Sequence, residues 1–433
     1  MKLLIRQATL VTVNADDEVL EQADLAISDD QIVGVGSAPA GFVPDRVLEG
    51  DDRIVLPGLI NTHTHLSMTL MRNYADDLAF WPWLLERIKP LEDHLLPEDV
   101  RVGARLGIAE LIRGGTTCFH DMYFHLDQVA DEVANAGVRA RLCGALFDNS
   151  GRGEALLRAA VELHEHWDGK AGRRVTVGLA PHSAYLCSPD YLREILAEAK
   201  RLHCGLHIHV AETEREVAES RERLGLTPVQ QLAELGCFGV PTVAAHGIYV
   251  DAADCRLLRE GGVSVAHNPG SNLKLANGIA PVQMLLEQGV NVSLGTDGAA
   301  SNNNLNLFEE MHLAALLQKW LRRDAEALPA RQVLRMATIR GAEALGLDSQ
   351  IGSLEVGKQA DLIIVDAARP HLAPRHDPVA LLVYSAQAAD VCTVLVDGQV
   401  LMEDRVLLTL DEDSLLALAT EQTHGLLHRA HGR

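Results

Sequence analysis

Basic residues are scarce in this chain: 38 Lys and Arg face 60 Asp and Glu, a formal net charge of -22 over 433 residues. Nucleic acid and anionic membrane surfaces both demand positive patches, so neither is expected as a partner, and a solvated acidic surface is the plain meaning. No uncharged apolar run approaches the ~20 residues that span a bilayer. The opening residues Met1 to Arg6 are broken by charge at once and lack a signal-peptide core, so a cytoplasmic location is expected. There is no Cys-x-x-Cys pair; Cys118, Cys143, Cys187, Cys204, Cys237, Cys255 and Cys392 lie far apart. An odd, dispersed set within apolar runs reads as reduced core thiols, neither a disulfide framework nor a zinc knuckle. No internal repeat or low-complexity tract is present.

With 47% hydrophobic residues the chain can bury a large core and form more than one domain. Its middle alternates short apolar runs with amphipathic, charge-rich segments. The runs predict strands at 59–66, 116–123, 139–148, 175–183, 206–212, 242–250, 263–269 and 291–298. Helical patterns lie between them at 98–113, 126–136, 154–166, 189–202, 228–236 and 252–260. Such alternation implies a parallel sheet. Eight strands across about 270 residues predict a (β/α)8 TIM barrel. The alternative, an open doubly wound sheet, is disfavoured because no Gly-x-Gly-x-x-Gly turn follows any strand.

The two ends have another character. Strand-like runs separated by turns occur at 3–13, 23–36, 53–56, 360–365 and 393–402, and Asp397-Gly398 is a hairpin signal. The expected fold is therefore α/β: a barrel over 57–357, inserted into a small β-sandwich domain made from 1–56 and 358–433. A helix over 412–428 ends the chain.

Four residues stand out. His63 and His65 are two apart on the first barrel strand, so their side chains share a face. His209 falls late in the fifth strand and Asp297 at the end of the eighth. Active sites in such barrels lie at the C-terminal strand ends, where these residues converge. Three imidazoles and one carboxylate suit Zn²⁺ or a similar borderline divalent ion. Any one of these histidines alone reads as a hydrogen-bonded core residue; the set, with an acid and a base beside it, reads as a metal-dependent hydrolase.

Glu212, three residues after His209, is placed to take a proton from water and pass it to a substrate, a step typically worth ~10²–10⁴ in rate. Its simpler reading is a cap for a helix opening at Thr213-Glu214-Arg215-Glu216. His246 ends the sixth strand and is expected to donate a hydrogen bond to the attacking hydroxide or the developing oxyanion. Its second reading is a fourth nitrogen ligand. Asp297, flanked by Gly295 and Gly298, has a second oxygen free to orient the nucleophile. Two-metal barrels generally need a bridging anion such as a carboxylated lysine late in strand four. Val175 to His182 contains no lysine, which favours a single metal. The His-x-Glu…Pro-Cys-x-x-Cys signature of cysteine-ligated nucleobase deaminases is also missing.

These motifs together resemble the amidohydrolase superfamily, in its aminohydrolase branch of purine, nucleoside and triazine deaminases. The resemblance covers nearly the whole chain. It runs through Pro57-Gly58-Leu59-Ile60-Asn61-Thr62-His63-Thr64-His65, Ser271-Asn272-Leu273-Lys274-Leu275, Gly295-Thr296-Asp297-Gly298 and the closing Ile351-Gly352-Ser353-Leu354-Glu355-Val356-Gly357-Lys358. Leu91-Glu92-Asp93, Asp121-Met122-Tyr123-Phe124-His125, the run from Ala180 to Ser188 and that from Asp297 to Asn303 look most like 5′-methylthioadenosine/S-adenosylhomocysteine deaminases.

That resemblance implies one zinc on His63, His65, His209 and Asp297, proton transfer by Glu212 and assistance from His246. It implies that Glu92 grips the ribose hydroxyls and that His182 faces the nucleoside; by itself Glu92 is an ordinary loop charge. Trp81 and Trp83 are either pocket walls or plain packing. Relatives that handle S-adenosylhomocysteine hold its carboxylate with two arginines. The first aligns with Gly144, and Arg152 is a loose match for the second. Loss of such a contact, ~1.5–3 kcal/mol, predicts a preference for 5′-methylthioadenosine or adenosine. The expected partner is thus a small-molecule nucleoside, and homo-oligomerisation is left open. The rival readings are a guanine, pterin or s-triazine aminohydrolase or a chlorohydrolase on the same metal site, and an inactive hydrolase-like scaffold.

Overall fold

The computed structural model describes residues 1–432. Eight strands hydrogen-bond in chain order: Leu59–Thr64, Thr116–Tyr123, Arg139–Leu146, Val175–Pro181, Leu206–Val210, Thr242–His246, Ser264–His267 and Asn291–Leu294. Every ladder between neighbours is parallel. Thr116–Tyr123 and Leu206–Val210 are buried at every position, including Thr116, Thr117, His120, Asp121, His207 and His209, as strands covered on both faces are. Alternate residues serve two cores. Cys143 and Ala145 join Met122 and Ala180 inside the barrel, while Leu142 and Leu146 pack outward against the helices.

The first and eighth strands close the cylinder without a regular ladder. Asn61 Nδ2 donates to Thr296 Oγ1 at 2.7 Å and Thr62 Oγ1 to the Leu294 carbonyl at 2.8 Å. The Asp297 amide then donates to the His63 carbonyl at 2.9 Å.

The helices begin where capping chemistry dictates. Ser188 accepts from the Tyr191 amide ahead of Pro189–Leu202, and Asp251 from the Ala253 and Asp254 amides ahead of Ala252–Glu260; each cap is worth ~1 kcal/mol. Helices beyond the eighth strand, chiefly Leu307–Arg322, were not picked out in the sequence. No helix among the described residues is long and apolar enough to cross a membrane. All seven cysteines are buried and unpaired.

The terminal segments form one continuous nine-stranded sheet in place of the expected two-sheet sandwich, because Arg53–Pro57 and Leu362–Asp366 join both termini in one ladder. N- and C-terminal halves join where Arg53–Pro57 pairs antiparallel with Leu362–Asp366. Leu3, Ile5, Leu25, Ile32, Val55, Leu362 and Leu395 make its core. The predicted hairpin is present: Val396 pairs with Gln399 across Asp397 (φ 48°) and Gly398 (φ 69°), the left-handed pair that a tight two-residue turn requires. The run at 23–36 is two strands, Val19–Ser28 and Gln31–Gly36, and the short Arg46–Glu49 was not anticipated. Arg139 pins barrel to sheet, donating to Asp361 at 2.9 and 3.2 Å and to Asp397 at 2.5 Å. The final helix, Glu412–His431, lies against Pro97–Arg113, with Gln422 donating to Asp99 at 2.7 Å.

Candidate active site

At the C-terminal mouth of the barrel the chain leaves its strands in strained conformations. Ala211 (φ 52°), His246 (φ 75°) and Asp297 (φ 62°) all occupy the left-handed region. For residues with a Cβ this costs roughly 1–3 kcal/mol each and persists only where the surroundings enforce it.

His63, His65 and His209 meet there. His65 and His209 have Nε2 atoms 3.3 Å apart, and the His63 and His65 Nε2 atoms lie 3.4 and 3.3 Å from Asp297 Oδ1. Ring orientation follows from the far nitrogens. His65 Nδ1 faces the Met122 carbonyl at 2.6 Å and His209 Nδ1 faces the His182 carbonyl at 2.8 Å. A carbonyl only accepts, so both Nδ1 atoms carry the proton and both Nε2 atoms are bare. Two bare lone pairs this close repel, and the buried His63 Nε2 has no hydrogen-bond partner. Such a convergence of acceptors on one carboxylate suits a divalent cation, and nitrogen and oxygen donors together suit zinc.

The electrostatics agree. Burial pushes the His63 imidazole down to about 4, against the pull of Asp297, and burial drives His209 well down. The Asp297 carboxyl, although burial opposes its ionisation, is held well below the usual range by His63 and the neighbouring imidazoles. Neutral imidazoles and an ionised carboxylate are the forms that bind metal. Ser271 Oγ donates to Asp297 Oδ2 at 2.6 Å and the Gly298 amide to Oδ1 at 2.8 Å; each oxygen keeps a second lone pair.

Glu212 is 5% exposed. Burial, then the nearby Asp297, pushes its carboxyl well above the ordinary range. It does not cap the following helix; Thr213 does, accepting from the Glu216 amide at 3.1 Å. Asn277 donates to Glu212 Oε1 at 3.1 Å, and the Glu216 carboxylate receives the Ala211 and Glu212 amides at 3.2 and 2.8 Å. His246 Nε2 lies 3.8 Å from Glu212 Oε1, and its Nδ1 faces Asn272 Oδ1 at 2.9 Å. The same Nδ1 also lies 3.4 Å from Asn268 Nδ2.

The other expected residues lie at differing distances from this centre. The His182 ring is 4.5 Å from that of His209, and burial pushes it down to about 3. Burial lifts the Glu92 carboxyl to about 7 against the pull of the Tyr123 hydroxyl; the Tyr123 ring is 6.3 Å from His65. Trp81 stands 6.0 Å from Tyr185 at the rim, with the Arg215 guanidinium 4.7 Å over its face. Trp83 is core packing at 5% exposure. Arg152 is exposed, 5.9 Å over the Phe147 ring, and has no contact with the histidine cluster. Gly144 faces outward: a Cβ there would lie 3.2 Å from the Ala160 Cβ on the helix Gly153–Trp167. A side chain at 144 starts toward that helix, so the substrate preference read from this glycine lacks a geometrical basis.

The sequence motif at Ser271-Asn272 carried no assigned role, and Asn277, Glu216 and His207 were not singled out. Only His207 had a signal, since it stands two residues before His209 just as His63 stands before His65.

Residues 54–401 match the amidohydrolase family. The chain is 46% identical to a 5-methylthioadenosine/S-adenosylhomocysteine deaminase of Caldanaerobacter subterraneus subsp. tengcongensis, with 99% of each chain covered. Among solved structures it superposes on an adenosine deaminase from Xanthomonas campestris with bound zinc at a TM-score of 0.95, with 37% identity and 98% of each chain covered. An atrazine chlorohydrolase from Arthrobacter aurescens TC1, complexed with zinc, gives 0.91 at 26% identity, over 97% of this chain and 100% of that one.

Proposed function

The chain belongs to the amidohydrolase family, and we propose that it hydrolytically deaminates an adenine nucleoside at C6, releasing ammonia and the inosine derivative. Its substrates are 5′-methylthioadenosine, adenosine and S-adenosylhomocysteine, the class named for relatives that match it end to end. The observation that carries the reading is the convergence of His63, His65 and His209, with Asp297 Oδ1 3.4 and 3.3 Å from the Nε2 atoms of His63 and His65 and the Glu212 carboxyl buried close by.

His63, His65, His209 and Asp297 hold one zinc ion per subunit. A zinc ion supplies a Lewis acid and lowers the pKa of water from 15.7 toward ~7. The chain's own groups do the rest. Ionised Glu212 takes one proton of the attacking water and delivers it to ring N1 as C6 becomes tetrahedral; it then takes the second proton from the new C6 hydroxyl and passes it to the amine, which leaves as ammonia as the C6 carbonyl forms. Asn277 holds one Glu212 oxygen and so directs the other. His246 donates to the oxygen arriving at C6. Glu92 accepts from the ribose hydroxyls and His182 faces the base.

Ammonia release should be measured across 5′-methylthioadenosine, S-adenosylhomocysteine, adenosine, adenine, guanine and a triazine, with zinc supplied. Turnover confined to the nucleosides is expected. Turnover of the triazine or guanine alone would replace this reading with its nearest rival.

A further inference from the structure

The three imidazoles at the mouth are not oriented alike. The Nδ1 partners of His65 and His209 are backbone carbonyls, which fix their tautomers whatever the surrounding side chains. The Nδ1 partner of His63 is another ring nitrogen, Nε2 of His207, at 2.8 Å. An imidazole nitrogen can donate or accept, so this contact allows two states. In one, His63 Nδ1 carries the proton and its Nε2 is bare. In the other, the proton sits on His207 Nε2 and a second one on His63 Nε2, where it blocks a cation.

We propose that His207 is the positioning residue that fixes the tautomer of His63, accepting its Nδ1–H and so turning the bare Nε2 toward the metal. The inference rests on the assignment of His63 as a zinc ligand. His207 is fully buried, and its Nδ1 has no partner. The blocking state gains a contact of its own, since a protonated His63 Nε2 lies 3.4 Å from Asp297 Oδ1, so it is the cation at His63 that selects the productive state in both rings together. His207 is itself held flat. It stacks on His120 with ring centroids 3.7 Å apart and planes 17° from parallel. His120 Nε2 in turn meets Cys143 Sγ at 3.2 Å. These three side chains could be taken for a second metal site. Stacked parallel rings do not aim their lone pairs at one point, however, and His207 Nε2 is already committed to His63. They form a floor that orients the first ligand from below.

Three proteins separate this role from mere filling of the barrel. His207→Phe keeps a flat ring without an acceptor, and His207→Gln places an amide oxygen near the position of Nε2. Zinc affinity is read by competition with a chelator, and metal-free melting temperature is read beside it. His207→Phe should bind zinc ~10–100-fold more weakly than wild type, the usual effect of losing an outer partner of a ligating histidine. His207→Gln should recover most of that loss. Equal zinc affinity in His207→Phe and wild type overturns the proposal, as does equal loss in the Phe and Gln variants. Neutron diffraction of zinc-loaded wild type needs no variant: a deuteron on His63 Nδ1 is expected, and one on His207 Nε2 overturns the idea. Failure of wild type to bind zinc stoichiometrically would instead remove the ligand assignment on which the proposal stands.

Discussion

The Asp297 amide donates to the His63 carbonyl at 2.9 Å, and the side chains of the same two residues meet at 3.4 Å. One is the last strand's exit and the other lies on the first strand. The seam of the barrel and two of the converging donors therefore rest on the same pair of residues.

Asp297→Asn tests that coupling from the side of the metal. The variant keeps the backbone bond of the seam and removes the anionic ligand. Zinc content should fall well below one per chain, and kcat should drop on the order of 10³ as several kcal/mol of transition-state stabilisation disappear. Metal analysis with ammonia release checks both. Full zinc occupancy with near-normal turnover would take Asp297 out of the centre.

Glu212→Gln separates proton transfer from metal binding. Glu212 is not among the converging donors, so zinc should remain at one per chain. Loss of the carboxyl should lower kcat by ~10² or more. Comparable kcat values in variant and wild type would assign the proton transfers to another group.

Glu92 gives the reaction a pH signature. Burial lifts its carboxyl to about 7. If Glu92 grips the ribose as proposed, the ionised carboxylate above that pH accepts from the hydroxyls, and the protonated form below it accepts less well. KM should therefore rise as pH falls through about 7, approaching tenfold per pH unit, and Glu92→Gln should flatten the profile. A KM–pH curve unchanged by that substitution would detach Glu92 from the substrate.

Arg139→Met addresses stability alone. Arg139 is 3% exposed and holds Asp361 and Asp397 between barrel and terminal sheet. Removing the guanidinium leaves buried Asp361 without its counter-charge and Asp397 with Arg174 alone, 3.5 Å away, a loss of about 3–5 kcal/mol. Urea unfolding of both proteins checks it; a change under 1 kcal/mol would show that water replaces the ion pair.

Much of this architecture was legible in the sequence because burial on both faces writes a parallel strand as an apolar run. Thr116–Tyr123 and Leu126–Ala136 begin and end where patterning placed them. His63, His65, His209, Glu212, His246 and Asp297 could be named because each falls at or just past a strand end. What stayed hidden depends on relationships between strands. The seam at Asn61 and Thr62 leaves no local pattern. The outward aim of Gly144 becomes visible only once Cys143 is known to face inward. Asn277 reaches Glu212 from a loop whose course no periodicity reveals.

The pairing of Arg53–Pro57 with Leu362–Asp366 also shapes how the protein is made. About 300 residues separate the partners, which at ~5–20 residues per second leaves on the order of 15–60 s of synthesis between them. Throughout that interval the emerging polypeptide holds out an apolar strand with an open hydrogen-bonding flank. Ribosome-bound intermediates must shield this flank or pair it with another nascent chain, so yield in the cell depends on how they are escorted as well as on the stability of the finished enzyme.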